Sequence, residues 1–217
     1  MLLDFGLVIF DCDGVLVDSE RLTVGVEARV LTELGWPMDA EGVVRRWMGR
    51  TSAAQLAEIA ERLGEDAAVE FDRRTTTTLR AVFDTDLAAV EGVVELVDAL
   101  AARGIPTCVA SSGTPTRMEL TLGVTGLWDR FEGRIFSAVE VEHGKPAPDL
   151  FLLAAERMGV VPERCAVVED SVPGVRAGVA AGMTVFGYAG GLTAEAELVA
   201  AGAEPFGHMG ELLTDAR

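Results

Sequence analysis

The run Leu7-Val8-Ile9-Phe10 leads directly into Asp11-Cys12-Asp13-Gly14-Val15, and this stretch decides the fold. Four apolar residues followed at once by a turn predict a short, buried β-strand. Side chains two residues apart on an extended chain point to one face, so Asp11 and Asp13 are expected side by side at the strand end. Two carboxylates so close repel each other unless a cation lies between them or one is protonated. Because Asp-x-Asp also occurs in turns and helix caps, a purely structural interpretation stays open at this point.

The composition is that of an ordinary globular protein: 217 residues, of which 49% are hydrophobic and 24% charged. This length suits one large domain or a core with a small insert. The net charge of −17 argues against nucleic acid and anionic membranes as partners. No apolar run approaches the roughly 18 residues of a membrane span, and the N-terminus lacks the basic start of a signal peptide.

The three cysteines, Cys12, Cys108 and Cys165, lie in or beside apolar runs. An odd number without a short framework spacing predicts buried, reduced thiols and a cytoplasmic protein. Cys12 lies between two aspartates but has no histidine near it in sequence to activate it. A buried thiol is therefore favoured there over a nucleophile.

The order of helical and strand patterns predicts an α/β fold with an insert. Helical patterns without a convincing strand fill residues 16–88. From residue 89 helices alternate with short strands, which we predict at 106–110, 134–137, 165–168 and 183–187. Such alternation is typical of βαβ units and a parallel, doubly wound, Rossmann-like sheet. The predicted core is residues 1–15 and 89–217, the predicted helical domain is residues 16–88, and two further helices are expected at 194–201 and 208–214.

Polar residues follow two more of these strands, at the edge of the sheet where parallel α/β proteins bind ligands. Ser111-Ser112-Gly113 follows one strand, and its hydroxyl and N–H groups suit an anion. Glu169-Asp170-Ser171 follows another. Taken alone, the serines are better explained as a helix N-cap, and an N-cap is also the alternative explanation for the acidic pair. Together with the first strand they gather four acids at one edge, which requires a compensating cation, and oxygen ligands favour Mg²⁺.

Lys145 is the only lysine among the 18 basic residues of the chain. It lies in the rigid turn Gly144-Lys145-Pro146-Ala147-Pro148. A surface cation can be lysine or arginine, whereas a compact point charge directed at a phosphate or carboxylate suits lysine. The pattern therefore indicates a functional lysine at the same edge of the sheet.

The order and spacing of these motifs resemble those of the haloacid dehalogenase-like (HAD) superfamily over nearly the whole chain. The helical block at 16–88 corresponds to the small helical cap that this family inserts after its first strand. Within the superfamily the chain is most similar to the branch of β-phosphoglucomutases and sugar-phosphate phosphatases, including bacterial 6-phosphogluconate phosphatases. The resemblance implies a phosphatase that hydrolyses a small phosphorylated metabolite, a sugar phosphate or a phosphorylated sugar acid, through an aspartyl-phosphate.

By this resemblance, Asp11 is the nucleophile that attacks phosphorus. Asp13 is the general acid that protonates the leaving alkoxide and then the base that activates water. Mg²⁺ is held by Asp11, by the backbone carbonyl of Asp13 and by Asp170, with Glu169 supporting these ligands.

The resemblance also implies that Ser111, Ser112 and Lys145 bind the phosphoryl oxygens. Arg50, in Met48-Gly49-Arg50-Thr51, lies where related caps carry a substrate-contacting loop, and a solvated arginine is the alternative. His143 is expected on the surface of its loop. The indole side chains at positions 36 and 47 are expected in the core of the cap rather than stacked on a sugar.

Other activities of the superfamily are distinguished by single residues. Dehalogenases lack the second aspartate, which is Asp13 here, and phosphonoacetaldehyde hydrolases need a cap lysine, which residues 16–88 do not contain. β-Phosphoglucomutases use a cap lysine as well as a cap arginine, so a phosphosugar mutase is the alternative rather than the first choice. A non-catalytic protein is disfavoured because all four motifs are intact. A monomer is expected, and the substrate stays open among a sugar phosphate, 6-phosphogluconate, phosphoglycolate and a nucleotide.

Overall fold

Six short parallel strands form one sheet in the computed structural model, which describes residues 1–48 and 52–213. Their order across the sheet is β3-β2-β1-β4-β5-β6. The strands are β1 (Leu7–Phe10), β2 (Thr107–Ser111), β3 (Ile135–Ser137), β4 (Cys165–Glu169), β5 (Thr184–Tyr188) and β6 (Glu204–Phe206). This confirms the predicted α/β class with a parallel sheet.

Strand β1 lies inside the sheet, paired on one side with β2 and on the other with β4. Ile9 is in register with Cys108 of β2 and Val167 of β4. All four residues of β1 are fully buried, as expected for a strand covered on both faces. Asp11 therefore leaves the sheet between the carboxyl ends of two neighbouring strands.

Helices cover the sheet and connect its strands. In the part of the core that the structure describes they are α5 (Val93–Ala102), α6 (Pro115–Val124), α7 (Trp128–Phe131), α8 (Asp149–Met158), α9 (Val172–Ala180) and α10 (Glu195–Ala201). Short 3-10 segments occur at Leu2–Asp4, Ala138–Glu140, Pro162–Arg164 and Met209–Leu213. The three cysteines are free and buried. No helix in the described residues is both long and apolar enough to cross a membrane.

The chain divides into two compact units, one formed by Met1–Asp18 together with the chain from Ala88 onward, and one formed by Ser19–Leu87. The second unit is all-helical in its described residues, with α1 (Ser19–Glu33), α2 (Ala40–Trp47), α3 (Ser52–Leu63) and α4 (Glu65–Asp86). This is the helical insert after β1 that the sequence predicts.

The two tryptophans of the helical unit lie in its core, as predicted. Trp36 and Trp47 meet edge to face with ring centroids 5.5 Å apart, and both are almost fully buried. The Trp47 indole donates a 2.9 Å hydrogen bond to Glu58. The guanidinium groups of Arg46 and Arg62 lie 5.0 and 4.5 Å from the Trp36 ring centroid, which suits cation–π attraction.

One local prediction is wrong, and two short elements were not predicted. The tail contains the strand β6, which the sequence analysis missed because Glu204-Pro205-Phe206 is short and contains a proline. Proline is tolerated there because β6 is an edge strand. The helix predicted at 208–214 is a 3-10 segment, Met209–Leu213, in the described residues. The four-residue helix α7 was also not predicted.

Candidate active site

A tight turn after β1 presents the Asp-x-Asp motif. The N–H of Asp11 still pairs with Val168 of β4, at 3.0 Å. The carbonyl of Cys12 then accepts hydrogen bonds from Leu16 and Val17, at 2.9 and 3.0 Å. Gly14 has a φ of +83°, a conformation that favours glycine, so the chain can reverse here. The carboxyl group of Asp11 is thereby fixed at the sheet edge.

Lys145 connects the ends of three neighbouring strands. Its ammonium group donates to Asp11 Oδ1 at 2.5 Å, to Glu169 Oε1 at 2.8 Å and to the carbonyl of Ala110 at 3.0 Å. The Lys145 side chain is 5% exposed and lies 4.9 Å from the centroid of the Phe151 ring. The only lysine of the chain is thus buried in the cluster of acids at the carboxyl ends of β1, β2 and β4.

Glu169 is held from its other side by the start of helix α9. Its Oε2 accepts hydrogen bonds from the Ser171 backbone N–H at 2.8 Å and from the Ser171 hydroxyl at 2.9 Å. A Cβ at Gly174 would come within 1.6 Å of Glu169 Oε1, so the carboxylate occupies space that only glycine leaves. Glu169 is therefore a fixed acceptor for Lys145.

Burial and opposite charge act against each other at this cluster. Burial raises the pKa of Asp11 to about 7; the charge and hydrogen bond of Lys145 oppose the rise, while the negative charges of Glu169 and Asp13 add to it. Burial lowers the pKa of Lys145, but Asp11 and Glu169 more than offset this and raise it. The lysine is consequently cationic at all physiological pH values, and further positive charge near Asp11 would favour its carboxylate form.

The carboxyl group of Asp170 packs against the turn that follows Asp11. Asp170 is 2% exposed, and a Cβ on Gly14 would lie only 2.0 Å from its Oδ2. No three carboxylate, histidine or cysteine side chains in residues 1–48 and 52–213 are grouped as a ready metal site. The Mg²⁺ ligands that the family implies include only two side chains, those of Asp11 and Asp170, together with the backbone carbonyl of Asp13. These are all hard oxygen donors, so the residues present fit Mg²⁺.

The two serines after β2 differ in their surroundings. Ser111 is 1% exposed, and its hydroxyl accepts a 3.0 Å hydrogen bond from the N–H of Gly113. The Ser137 hydroxyl donates to the carbonyl of Gly113 at 2.7 Å and so fastens this turn to β3. Ser112 is exposed. Both serines lie at the predicted edge of the sheet, but only Ser111 is buried there.

Arg117 is a residue of this site that the sequence analysis missed. It lies in the first turn of α6 and donates to Asp13 from Nη2 at 2.9 Å and from Nε at 3.4 Å. Burial lowers the pKa of Arg117, but the charge and hydrogen bond of Asp13 more than compensate and raise it. The sequence does contain an indication of this role. A basic residue in the first turn of a helix is unfavourable with respect to the helix dipole, which suggests that Arg117 has an acidic partner.

Two further candidates are Arg50 and His143. Arg50 falls outside the described residues. His143 is largely exposed and pairs with Asp149, its Nδ1 lying 3.2 Å from Oδ2, in agreement with the expected surface position.

Comparison with known proteins agrees with this architecture. Residues 5–182 match the family model of the haloacid dehalogenase-like hydrolases. The chain is 34% identical over 184 residues to 6-phosphogluconate phosphatase of Escherichia coli K12, covering 82% of this chain and 80% of that protein. It is 36% identical over 199 residues to a phosphorylated carbohydrates phosphatase of Thermotoga maritima, covering 90% and 91%. A HAD family hydrolase of Deinococcus radiodurans R1, solved with bound phosphate and sodium, superposes with a TM-score of 0.82 at 34% identity and covers 97% and 94%.

The chain therefore belongs to the haloacid dehalogenase-like hydrolases, a family that is generally magnesium-dependent. Within that family it is an enzyme of the phosphatase type, a phosphoric monoester hydrolase.

Proposed function

We propose that this protein is a Mg²⁺-dependent phosphatase that hydrolyses a sugar phosphate or a phosphorylated sugar acid through an aspartyl-phosphate. The observation that carries the mechanism is the buried contact of Lys145 with Asp11 and Glu169 at the end of the central strand. The activities named for the Escherichia coli and Thermotoga maritima relatives support the substrate class.

In the first step an oxygen of Asp11 forms a bond to phosphorus while the bond from phosphorus to the leaving oxygen breaks. Asp13 gives its proton to that oxygen, and the dephosphorylated alcohol leaves. In the second step Asp13 takes a proton from water, whose oxygen attacks phosphorus as the bond to Asp11 breaks. The sum is one phosphate ester and one water converted to one alcohol and one phosphate.

Lys145 and the groups around it orient the phosphoryl group during both steps. Lys145 supplies a fixed positive charge beside the Asp11 carboxylate, and Ser111 supplies a hydroxyl at the neighbouring strand end. The Asp11 and Asp170 carboxylates and the Asp13 carbonyl would hold Mg²⁺. The chemistry that this ion supplies when bound is neutralisation of charge on the phosphoryl group. Preorganised charge of this kind is the main source of catalysis in phosphoryl transfer.

The helical unit and Arg50 are assigned to substrate choice, and Ser112 to a second contact with the phosphate. The insertion of this unit directly after the catalytic loop supports the assignment. The unit contains no lysine, which favours a phosphatase over a phosphosugar mutase. The proposal includes a monomer in the cytoplasm; the three free, buried cysteines are consistent with a reducing compartment.

The test is phosphate release from a panel of sugar phosphates, phosphorylated sugar acids, phosphoglycolate and nucleotides, with Mg²⁺ and with a chelator. We expect release that needs the metal and disappears in Asp11→Asn. The matched control is Asp129→Asn, which changes an exposed aspartate of the same unit. Conversion of β-glucose 1-phosphate to glucose 6-phosphate with a bisphosphate primer, and no phosphate release, would replace the phosphatase with the mutase.

A further inference from the structure

We infer that Arg117 is a positioning residue that orients the Asp13 carboxyl group for proton transfer to the leaving oxygen. This inference rests on the proposed function, because it assumes that Asp13 is the general acid. The segment after β2 would then have two functions. Ser111 would contact the phosphoryl group, and Arg117 would position the acid that protonates the leaving group.

The contact between the two side chains is a fork. Arg117 Nη2 lies 2.9 Å from Asp13 Oδ1, and Nε lies 3.4 Å from Oδ2. A guanidinium group is planar and binds a carboxylate through two donors at once, which defines the plane of the carboxylate as well as its distance. The Arg117 side chain is 35% exposed and that of Asp13 is 25% exposed, so both are partly shielded from water.

Helix α6 holds Arg117 in a defined place. The Thr114 side chain caps the helix by accepting from the Arg117 N–H at 3.4 Å. One turn further along, Thr121 is fully buried and its hydroxyl lies 3.8 Å from the sulfur of Cys12. Residues four apart share one face of a helix, so α6 meets the catalytic turn at two successive residues, Cys12 and Asp13. Arg117 is thus attached to a buried helix face and not to a free loop.

The two contacts of the fork differ in length, and the longer one leaves one oxygen of Asp13 available for proton transfer. The shorter contact anchors Oδ1, while the longer one at 3.4 Å holds Oδ2 weakly. A carboxyl group anchored through one oxygen can exchange a proton through the other. General-acid catalysis needs that oxygen within hydrogen-bond reach of the leaving group, and a displacement of about 1 Å costs on the order of 100-fold.

The experiment compares two kinds of substrate in one protein. A sugar phosphate releases a basic alkoxide, which needs the proton of Asp13. p-Nitrophenyl phosphate releases a stable phenolate, which does not. In Arg117→Ala, we expect kcat/KM to fall about 10- to 100-fold on the sugar phosphate that the wild type hydrolyses fastest. On p-nitrophenyl phosphate we expect a fall of no more than about threefold. Arg117→Lys keeps the charge without the fork and should fall in between.

Two controls separate positioning from damage to the fold. Arg130→Ala breaks a similar forked pair with Asp98 on the same unit, at 2.8 and 2.9 Å, and should leave the ratio of the two kcat/KM values unchanged. Asp13→Asn should show the same selective loss as Arg117→Ala, only larger. Equal losses on both substrates in Arg117→Ala, or no loss on either, would overturn the role of Arg117. Absence of metal-dependent hydrolysis of both substrates by the wild type would instead overturn the proposed function itself.

Discussion

Gly174 leaves the space that the Glu169 carboxylate fills. The residue lies inside α9, where alanine is normally the more favourable choice by about 1 kcal/mol. A Cβ here would nevertheless lie 1.6 Å from Oε1, the oxygen that accepts from Lys145. The position of Lys145 therefore depends on the absence of a side chain at position 174, because Glu169 fills that space.

We expect Gly174→Ala to lower kcat/KM by on the order of 100-fold, because Glu169 must move and Lys145 with it. Steady-state kinetics on the best substrate would measure this, with circular dichroism to confirm that the protein is folded. Gly123→Ala on α6 is the matched control, since nothing lies within 4 Å of a Cβ there. Wild-type activity in Gly174→Ala would mean that the Glu169–Lys145 contact is dispensable.

We expect Asp11, which is proposed to hold Mg²⁺, to couple metal binding to pH. Burial raises its pKa to about 7, so near neutral pH the carboxyl group is partly protonated before a cation binds. A proton and Mg²⁺ compete for the same oxygens. The affinity for Mg²⁺ should consequently increase as the pH rises towards 7 and become nearly constant above about 8.

Calorimetric titration with Mg²⁺ at pH 6.0 and 8.0, in buffers of different ionisation enthalpy, tests this coupling. We expect weaker binding at pH 6.0, with release of close to one proton there and of only about a tenth of a proton at pH 8.0. Asp11→Asn should remove the proton release as well as most of the affinity. Equal affinity at both pH values in the wild type would contradict the expectation.

Helices α1 and α3 are joined by a partly buried pair of polar side chains. Gln55, on α3, donates a 2.9 Å hydrogen bond to Glu27 Oε2 on α1. Burial raises the pKa of Glu27, although the hydrogen bond from Gln55 lowers it in part. The folded protein thus binds a proton at this carboxyl group more tightly than the unfolded chain does. The free energy of unfolding must fall as the pH rises from the unfolded pKa through the folded one.

Glu27→Gln keeps an acceptor for Gln55 and removes the charge. We expect the variant to be more stable than the wild type at pH 8, with the difference shrinking towards pH 4. The midpoint of urea unfolding at several pH values would measure this. Glu61→Gln, on the exposed surface of α3, should show no such trend. A lower midpoint for Glu27→Gln at pH 8 would show that the charged form is the stabilising one.

The helical unit is inserted at a point where the chain leaves and returns to one place. The N–H of Asp18 donates to the carbonyl of Ala88 at 3.0 Å, and Val90 donates to Leu16 at the same distance. The two ends of the insert are therefore already joined by backbone hydrogen bonds of the sheet unit. Removal of the insert requires only a short connection between them.

We expect a protein in which a short Gly/Ser linker replaces Ser19–Leu87 to fold, because the sheet and its helices belong to the other unit. It should unfold cooperatively and retain weak hydrolysis of p-nitrophenyl phosphate, but lose discrimination among sugar phosphates. Circular dichroism during urea unfolding and the substrate panel would measure both. A protein without cooperative unfolding would show that the sheet unit depends on the insert.

The sequence by itself determined most of the elements, because those depend on local patterns, and the resemblance of its motifs indicated the class of protein. A buried apolar run ending in Asp11 predicts a central strand, glycine and proline mark the ends of helices, and a single lysine stands out by its rarity. The edge strand β6 was not predicted, because three residues that include a proline are too few to show the alternation typical of a strand.

The sequence predicted which side chains gather at one edge of the sheet, but only the tertiary structure decided which of them are in contact. Lys145 and Asp11 are 134 positions apart, and Arg117 and Asp13 are 104 apart. The Arg117 contact depends on the rotation of α6 about its axis, which is set by the burial of Thr121 and its neighbours. Likewise, the fit of Glu169 beside Gly174 depends on the distance between β4 and α9. These are packing distances, and no local pattern of residue types encodes them.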